Sequence, residues 1–223
     1  MPRDEATISE LAGVPTHYGR FDPPFDYGSK GKARSFKCRD VLKQTLNDCC
    51  TELFDVWGKG KPSIILSAGT LGDGENAHGK GYAFDLDGFF WGDERFMMDE
   101  YAKDRRFYNG INAQLFLYFP QVLSFHYPRH HDHFHMDFNS SKRFRSASNA
   151  QMFFVQSALV YIYEQNIGKT GNDGDGVDGI YGDDTKKGIT AALKDTGLWG
   201  QGGLSKPEVW AKFLTMTRDL AFG

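Results

Sequence analysis

"HHDHFHMDF", residues 130–138, places four of the chain's seven histidines and two aspartates within nine positions. If the stretch is extended, side chains alternate between faces, so His133 and His135, two apart, project together. Two imidazoles held that way on a rigid element can share one metal ion or one substrate. A catalytic metal site usually takes three protein ligands and leaves a fourth position for water, so further ligands must come from elsewhere in the chain.

One other segment offers them: "HGKGYAFD", residues 78–85. His78 and Asp85 are seven apart, an odd number, and one regular strand would point them to opposite faces. They converge if His78 sits in the preceding turn, which Gly79 and Gly81 make easy, with Asp85 on the strand beside Ala83. His131, Asp87 and Asp137 are additional polar groups whose expected place is behind the ligating imidazoles. A histidine pair on a strand is by itself more often structural than catalytic. The second segment shifts that balance, whereas His17 and His126 match no pattern and read as structural.

Outward from these segments, residues 1–33 are rich in Pro and Gly and predict irregular chain wrapping a core. Phe36, Val41, Leu42, Leu46, Cys49, Leu53 and Trp57 form a stripe that predicts a helix over residues 34–57, ending at "GKGKP". "SIILSA" and "YAFDLDGFFW" read as strands, residues 101–118 as a helix, and "QVLSFHYP" and "HFHMDF" as two more strands joined by a Pro-containing turn. Strands mixed with a few helices indicate an α+β fold: a small antiparallel sheet with flanking helices holding the histidine site. After "NSSKRFRSASN" the texture changes. Helices are expected over residues 151–163, over 185–197 with Asp183 or Asp184 as cap, and in "SKPEVWAKFL". The boundary falls near residue 148, giving a first domain of residues 1–148 and an all-α three-helix domain of residues 149–223.

Composition excludes some classes. The 223 residues carry a net charge of −3, so no basic field draws the chain to nucleic acid or an anionic membrane. No apolar run approaches the ~18–20 residues of a membrane span. "MPRDEATISELAGVP" does not read as a signal peptide. Cys38, Cys49 and Cys50 are expected on one helix, where Cys38 and Cys49 would lie roughly 16 Å apart, so they read as buried thiols rather than a disulfide framework.

The two segments together resemble the superfamily of lysostaphin, D-alanyl-D-alanine metallopeptidases and sonic hedgehog. His78-x-x-Gly81-x-Ala83-x-Asp85 is similar to its H-x-x-G-x-A-x-D signature and His133-Phe-His135 to its H-x-H; His130-x-Asp132-His133-x-His135 is closest to the extensin-like and D-Ala-D-Ala peptidase branch. The resemblance covers roughly residues 35–140. It implies a zinc ion held by His78, Asp85 and His135, with Asp132 as general base and His133 and His130 stabilising the oxyanion or orienting the base. Zinc carboxypeptidases of this superfamily typically carry an Arg shortly before the first zinc histidine, to grip the terminal carboxylate. Here "SAGTLGDGENAH" has neither Arg nor Lys. An endopeptidase is therefore the simpler expectation, although Arg34 or another distant cation could substitute.

The C-terminal segment resembles the three-helix peptidoglycan-binding domain through Val155, Gln156 and Leu159, then Asp178-Gly179-x-Tyr181-Gly182-x-x-Thr185, then Ile189 and Trp210, most of them scaffold. "NDGDGVDG" also invites a calcium-loop reading, but Gly171 and Gly182 fall where carboxylates are required. The two resemblances imply a monomeric zinc peptidoglycan hydrolase acting in the periplasm or cell wall on peptide cross-links. The rivals are a D,D-carboxypeptidase and a wall-binding protein with an idle zinc site. A wall substrate without a visible signal peptide implies release by phage lysis, injection as an effector (for which an immunity protein should exist), or a trimmed chain.

Overall fold

The computed structural model describes residues 5–20, 27–70 and 74–223. Along the chain run β1 (Glu5–Ile8), β2 (Glu10–Leu11), β3 (Val14–Tyr18), β4 (Lys32–Ala33), β5 (Phe36–Arg39), α1 (Asp40–Val56), β6 (Ile64–Gly69), β7 (Phe84–Trp91), β8 (Glu94–Met97), α2 (Arg105–Tyr118), β9 (Gln121–Leu123), β10 (Phe134–Asp137), α3 (Asn149–Tyr161), α4 (Asp183–Asp195) and α5 (Pro207–Phe222). The fold is α+β, as the sequence predicts. Among the described residues the main sheet has eight strands in the order β2-β3-β6-β7-β10-β9, with β4 beside β3 and β8 beside β7. β3 and β6 run parallel; the other pairs in the sheet are antiparallel. β1 and β5 form a separate antiparallel ribbon.

The N-terminal segment differs from expectation: it supplies β1 to β4 rather than irregular chain. These strands are two to five residues long, too short for alternation to stand out against neighbouring Pro and Gly. The helix expected from residue 34 begins at Asp40, because Phe36 and Cys38 alternate into the core from β5. Cys38 is therefore on a strand, not on α1 with Cys49 and Cys50. All three thiols are free and buried, and burial pushes Cys38 up to about 11 and Cys50 up to about 12. At α4 the cap is Gly182, and Asp183 and Asp184 lie in the first turn. There their charge favours the N-terminal end of the helix dipole.

The core is continuous. Leu42, Leu46, Cys49 and Leu53 of α1 pack in one cluster with Phe84, Leu86 and Phe89 of β7 and with Phe134 and Met136 of β10. The same cluster runs on through Phe154 and Leu159 of α3 to Trp210 and Phe213 of α5. The sequence boundary near residue 148 coincides with Ser148, whose side chain caps α3 by accepting from Gln151 N. α5 packs along α2 so closely that a Cβ on Gly110 would lie 2.4 Å from Phe222 Cε1. Gln156, Asp178 and Thr185, singled out as motif residues, form one network: Gln156 Nε2 donates to Asp178 Oδ1 at 2.8 Å and to Thr185 Oγ1 at 3.0 Å. Gln156 Oε1 accepts from Gly179 N at 2.7 Å. These residues are scaffold. No helix among the described residues is long and apolar enough to cross a membrane.

Candidate metal centre

β7 and β10 pair antiparallel with His135 directly opposite Asp85, so both side chains leave the sheet on one face while Phe84, Phe134 and Met136 fill the core on the other. His78 comes from the turn before β7. Gly81 N donates to His78 O at 2.9 Å, Tyr82 N to Ala77 O at 2.9 Å, and Gly79 N to Asn76 Oδ1 at 2.8 Å. Gly81 has φ +74°, and a Cβ there would press on the backbone of β5 at 3.3 Å. β5 in turn fixes the turn, with Arg39 N donating to Gly81 O at 2.9 Å. This is the geometry that the odd spacing of His78 and Asp85 required.

His78 Nε2, His135 Nδ1 and Asp85 Oδ1 converge at separations of 3.0, 2.9 and 3.2 Å. Ligands at 2.0–2.1 Å around a tetrahedral ion stand about 3.3–3.4 Å apart, so the triangle nearly matches the edges of a metal site. Protons shared among two imidazoles and a carboxylate cannot fill all three contacts, whereas a cation at the centre satisfies all three donors. Among the described residues these three form the cluster able to hold a metal ion. Burial alone would raise the Asp85 carboxyl, but His135 and His78 outweigh it and hold it well below the ordinary range. For His135 burial acts downward, yet hydrogen bonds to Asp137 and Asp85 lift it to about 9. His135 Nε2 lies 2.9 Å from Asp137 Oδ2, and donating there leaves Nδ1 with its lone pair on the metal side. Asp137 is itself fixed by Asn139 N at 2.7 Å and Gln121 Nε2 at 3.1 Å.

Beside the triangle, His133 Nε2 lies 3.8 Å from Asp85 Oδ1, and His133 Nδ1 faces Asp132 Oδ1 at 2.7 Å. β10 starts only at Phe134, so residues 130–132 are irregular, as Asp132 needs if it is to reach this face. Asp132 Oδ2 accepts from Arg20 Nη1 at 2.8 Å. Burial would raise the Asp132 carboxyl; His133 and Arg20 outweigh it and keep it well below the ordinary range. Arg20 also grips Asp87 with Nε at 2.9 Å and Nη2 at 2.6 Å. Asp87 is fully buried and sits where β7 carries an extra residue: Leu66 pairs with Gly88 but Ser67 with Leu86. Tyr27 completes the group, its hydroxyl donating to Asp132 O at 2.5 Å.

His130 joins this face, its ring centroid 4.9 Å from His133 and 5.7 Å from His135. Burial, with His133 and His135 alongside, lowers its pKa. It follows a turn closed by His130 N donating to Tyr127 O at 3.0 Å, with Pro128 second and Arg129 third at φ +67°. That third position favours glycine. Arg129 is exposed, so Arg129→Gly is expected to stabilise by about 0.5–1 kcal/mol by relieving left-handed strain. Urea unfolding checks this, and a loss of stability instead would show that the arginine side chain holds the turn.

His131 is exposed. His17 Nδ1 lies 2.8 Å from Lys30 O, and His126 packs edge-on to Tyr101 at 4.9 Å. Arg34 stacks on Tyr18 at 4.6 Å, in a cavity shared with Ala68, Gly69 and Thr70. Sequence reasoning missed Arg20 and Tyr27, which lie in the Pro- and Gly-rich segment with no motif around them. Sharing no residue with the metal triangle, an open groove of about 630 Å³ is floored by Phe144, Leu193 and Leu204 and flanked by exposed Tyr181 and Trp199. Comparison with protein-family models, curated proteins and solved structures finds no match to this chain.

Proposed function

We propose that the protein is a zinc-dependent hydrolase that cuts peptide cross-links of bacterial peptidoglycan, acting as an endopeptidase in the periplasm or cell wall. The observation that carries this reading is the His78–Asp85–His135 triangle, with the Asp132–His133 pair beside it. Two imidazoles and one carboxylate suit zinc. When bound there, zinc supplies a water of depressed pKa, near ~7, and polarises a carbonyl. Asp132, which the family resemblance makes the general base, is ionised, and to take the water's proton and pass it to the leaving amine one of its oxygens exchanges its contact with Arg20 or His133. His133 and His130 bear on the oxyanion. The wall as substrate rests on the sequence resemblances. The aromatic-flanked groove between residues 144 and 205 suits the anchoring of a wall polymer, which would raise the local concentration of the tethered site.

The endopeptidase reading is supported by Arg20, the cation beside Asp132, whose Nε, Nη1 and Nη2 already donate to Asp87 and Asp132, so it does not serve as a carboxylate clamp. A carboxypeptidase reading rests on Arg34, which borders a cavity with Gly69, the cross-strand partner of Asp85. Mass spectrometry of purified peptidoglycan after digestion separates the two. Chelator-sensitive loss of cross-linked dimers is expected. Release of free alanine with dimers intact would establish the carboxypeptidase, and an unchanged profile with zinc bound would leave a wall-binding protein.

A further inference from the structure

We infer that Arg20 is a positioning residue for the hydrolytic site, acting through Asp132: anchored on buried Asp87, it fixes the carboxylate that in turn orients His133. The inference rests on the hydrolase reading above and extends it to a residue from the far end of the chain.

The chain of contacts runs in one direction. Asp87, fully buried, holds the guanidinium through two donors at 2.9 and 2.6 Å, a bidentate clamp that fixes its plane. The remaining donor, Nη1, reaches Asp132 Oδ2 at 2.8 Å. Tyr27 supports both partners, lying under the guanidinium at 5.1 Å and donating to the Asp132 carbonyl. With Oδ2 held, Asp132 Oδ1 is directed at His133 Nδ1, 2.7 Å away, which turns the Nε2 edge of the ring toward Asp85. Asp132 stands in irregular chain before β10, where no ladder of backbone hydrogen bonds fixes its rotamer. Without Arg20 the carboxylate is free to rotate away, and a misplacement of about 1 Å costs on the order of 10²-fold in rate. Arg20 lies outside the metal triangle, so its loss should leave metal binding intact. A lysine, with one point charge, cannot clamp Asp87 and reach Asp132 at the same time.

The test compares wild type, Arg20→Ala, Arg20→Lys and the double variant Arg20→Ala/Asp87→Asn, the last removing the buried charge that the single change would strand. Folding is followed by thermal melting, zinc by titration, turnover on cross-linked wall peptide, and the His133 Nδ1–H proton by NMR in the metal-free protein. Expected are unchanged zinc stoichiometry, a fall in kcat of about 10²-fold with KM within about threefold, recovery of about tenfold or more of the loss by added guanidinium in Arg20→Ala, where Asp87 remains to hold it, and loss of the hydrogen-bonded His133 proton signal. Little recovery is expected in Arg20→Lys. A folded double variant with wild-type kcat and an unchanged proton signal would overturn the inference. If wild type itself cleaves nothing, the hydrolase reading falls, and the proton signal still decides whether Arg20 holds the Asp132–His133 pair.

Discussion

Asp132→Ala is expected to lower kcat/KM on cross-linked wall peptide by about 10³-fold, about 4 kcal/mol of transition-state stabilisation, while zinc binds with undiminished affinity. The separation follows from the geometry. The three converging donor atoms belong to His78, Asp85 and His135, and Asp132 contributes none of them. Its carboxylate instead stands between Arg20 and His133, where the proposed mechanism would have it receive the water's proton without holding the metal. His135→Ala is the contrasting case: it removes the donor atom and strands Asp137, so metal affinity and turnover fall together. Zinc titration and turnover measured on both variants check the division. If Asp132→Ala retained a tenth or more of wild-type turnover, the base would have to be another group and the mechanism would fail. If it lost zinc as well, the carboxylate would be structural to the metal site.

The segments that build the metal triangle were legible in the sequence because their geometry is local, while the choice of His135 over His133 as a ligand came from the family resemblance. The parity of His133 and His135 and the turn needed between His78 and Asp85 follow from spacing within short segments. Strand pairing then had only to bring two such segments together, which the direct register of His135 on Asp85 does. Asp137 and Asp87 were visible as polar residues but not assignable. The role of Asp87 depends on Arg20, which meets it across 67 residues of chain, and that of Asp137 on which imidazole nitrogen turns toward the metal. Arg20 was illegible for a different reason. It meets Asp132 across 112 residues of chain, and nothing in "HYGRF" distinguishes it from an ordinary surface arginine. β5 was hidden because Phe36 fits the start of the helical stripe and a four-residue strand offers too short an alternation to set against it, so that only pairing with β1 decides between them.

Arg218→Met is expected to destabilise the whole chain by roughly 1–3 kcal/mol, well beyond an ordinary surface substitution, in a single unfolding transition. Arg218 on α5 is buried and ties three helices together. Its Nη1 donates to Glu52 Oε1 on α1 at 2.7 Å and to Gln114 Oε1 on α2 at 2.8 Å. Removing it leaves Gln114 Oε1 without that donor and loosens Glu52, while the partial exposure of Glu52 keeps the loss below that of a fully buried pair. The hydrophobic cluster runs unbroken from α1 through α3 to α5, so a defect at α5 is felt by the sheet that carries the metal site. Acid supplies an independent check. Burial would raise the Glu52 carboxyl, but Tyr118, Gln114 and Arg218 outweigh it and hold it below its ordinary value. A carboxylate whose folded pKa lies below its unfolded one contributes stability that is present above the unfolded value of about 4.3 and is lost as pH falls through the folded value. The destabilisation by Arg218→Met should therefore be largest near neutrality and shrink below about pH 4. Urea unfolding at several pH values, read by tryptophan fluorescence and by far-ultraviolet circular dichroism, tests both parts. Two separate transitions in wild type would show that the C-terminal helices fold as an independent unit docked on the rest, and a pH-independent effect of the substitution would assign the stability to packing of the arginine stem rather than to its charge.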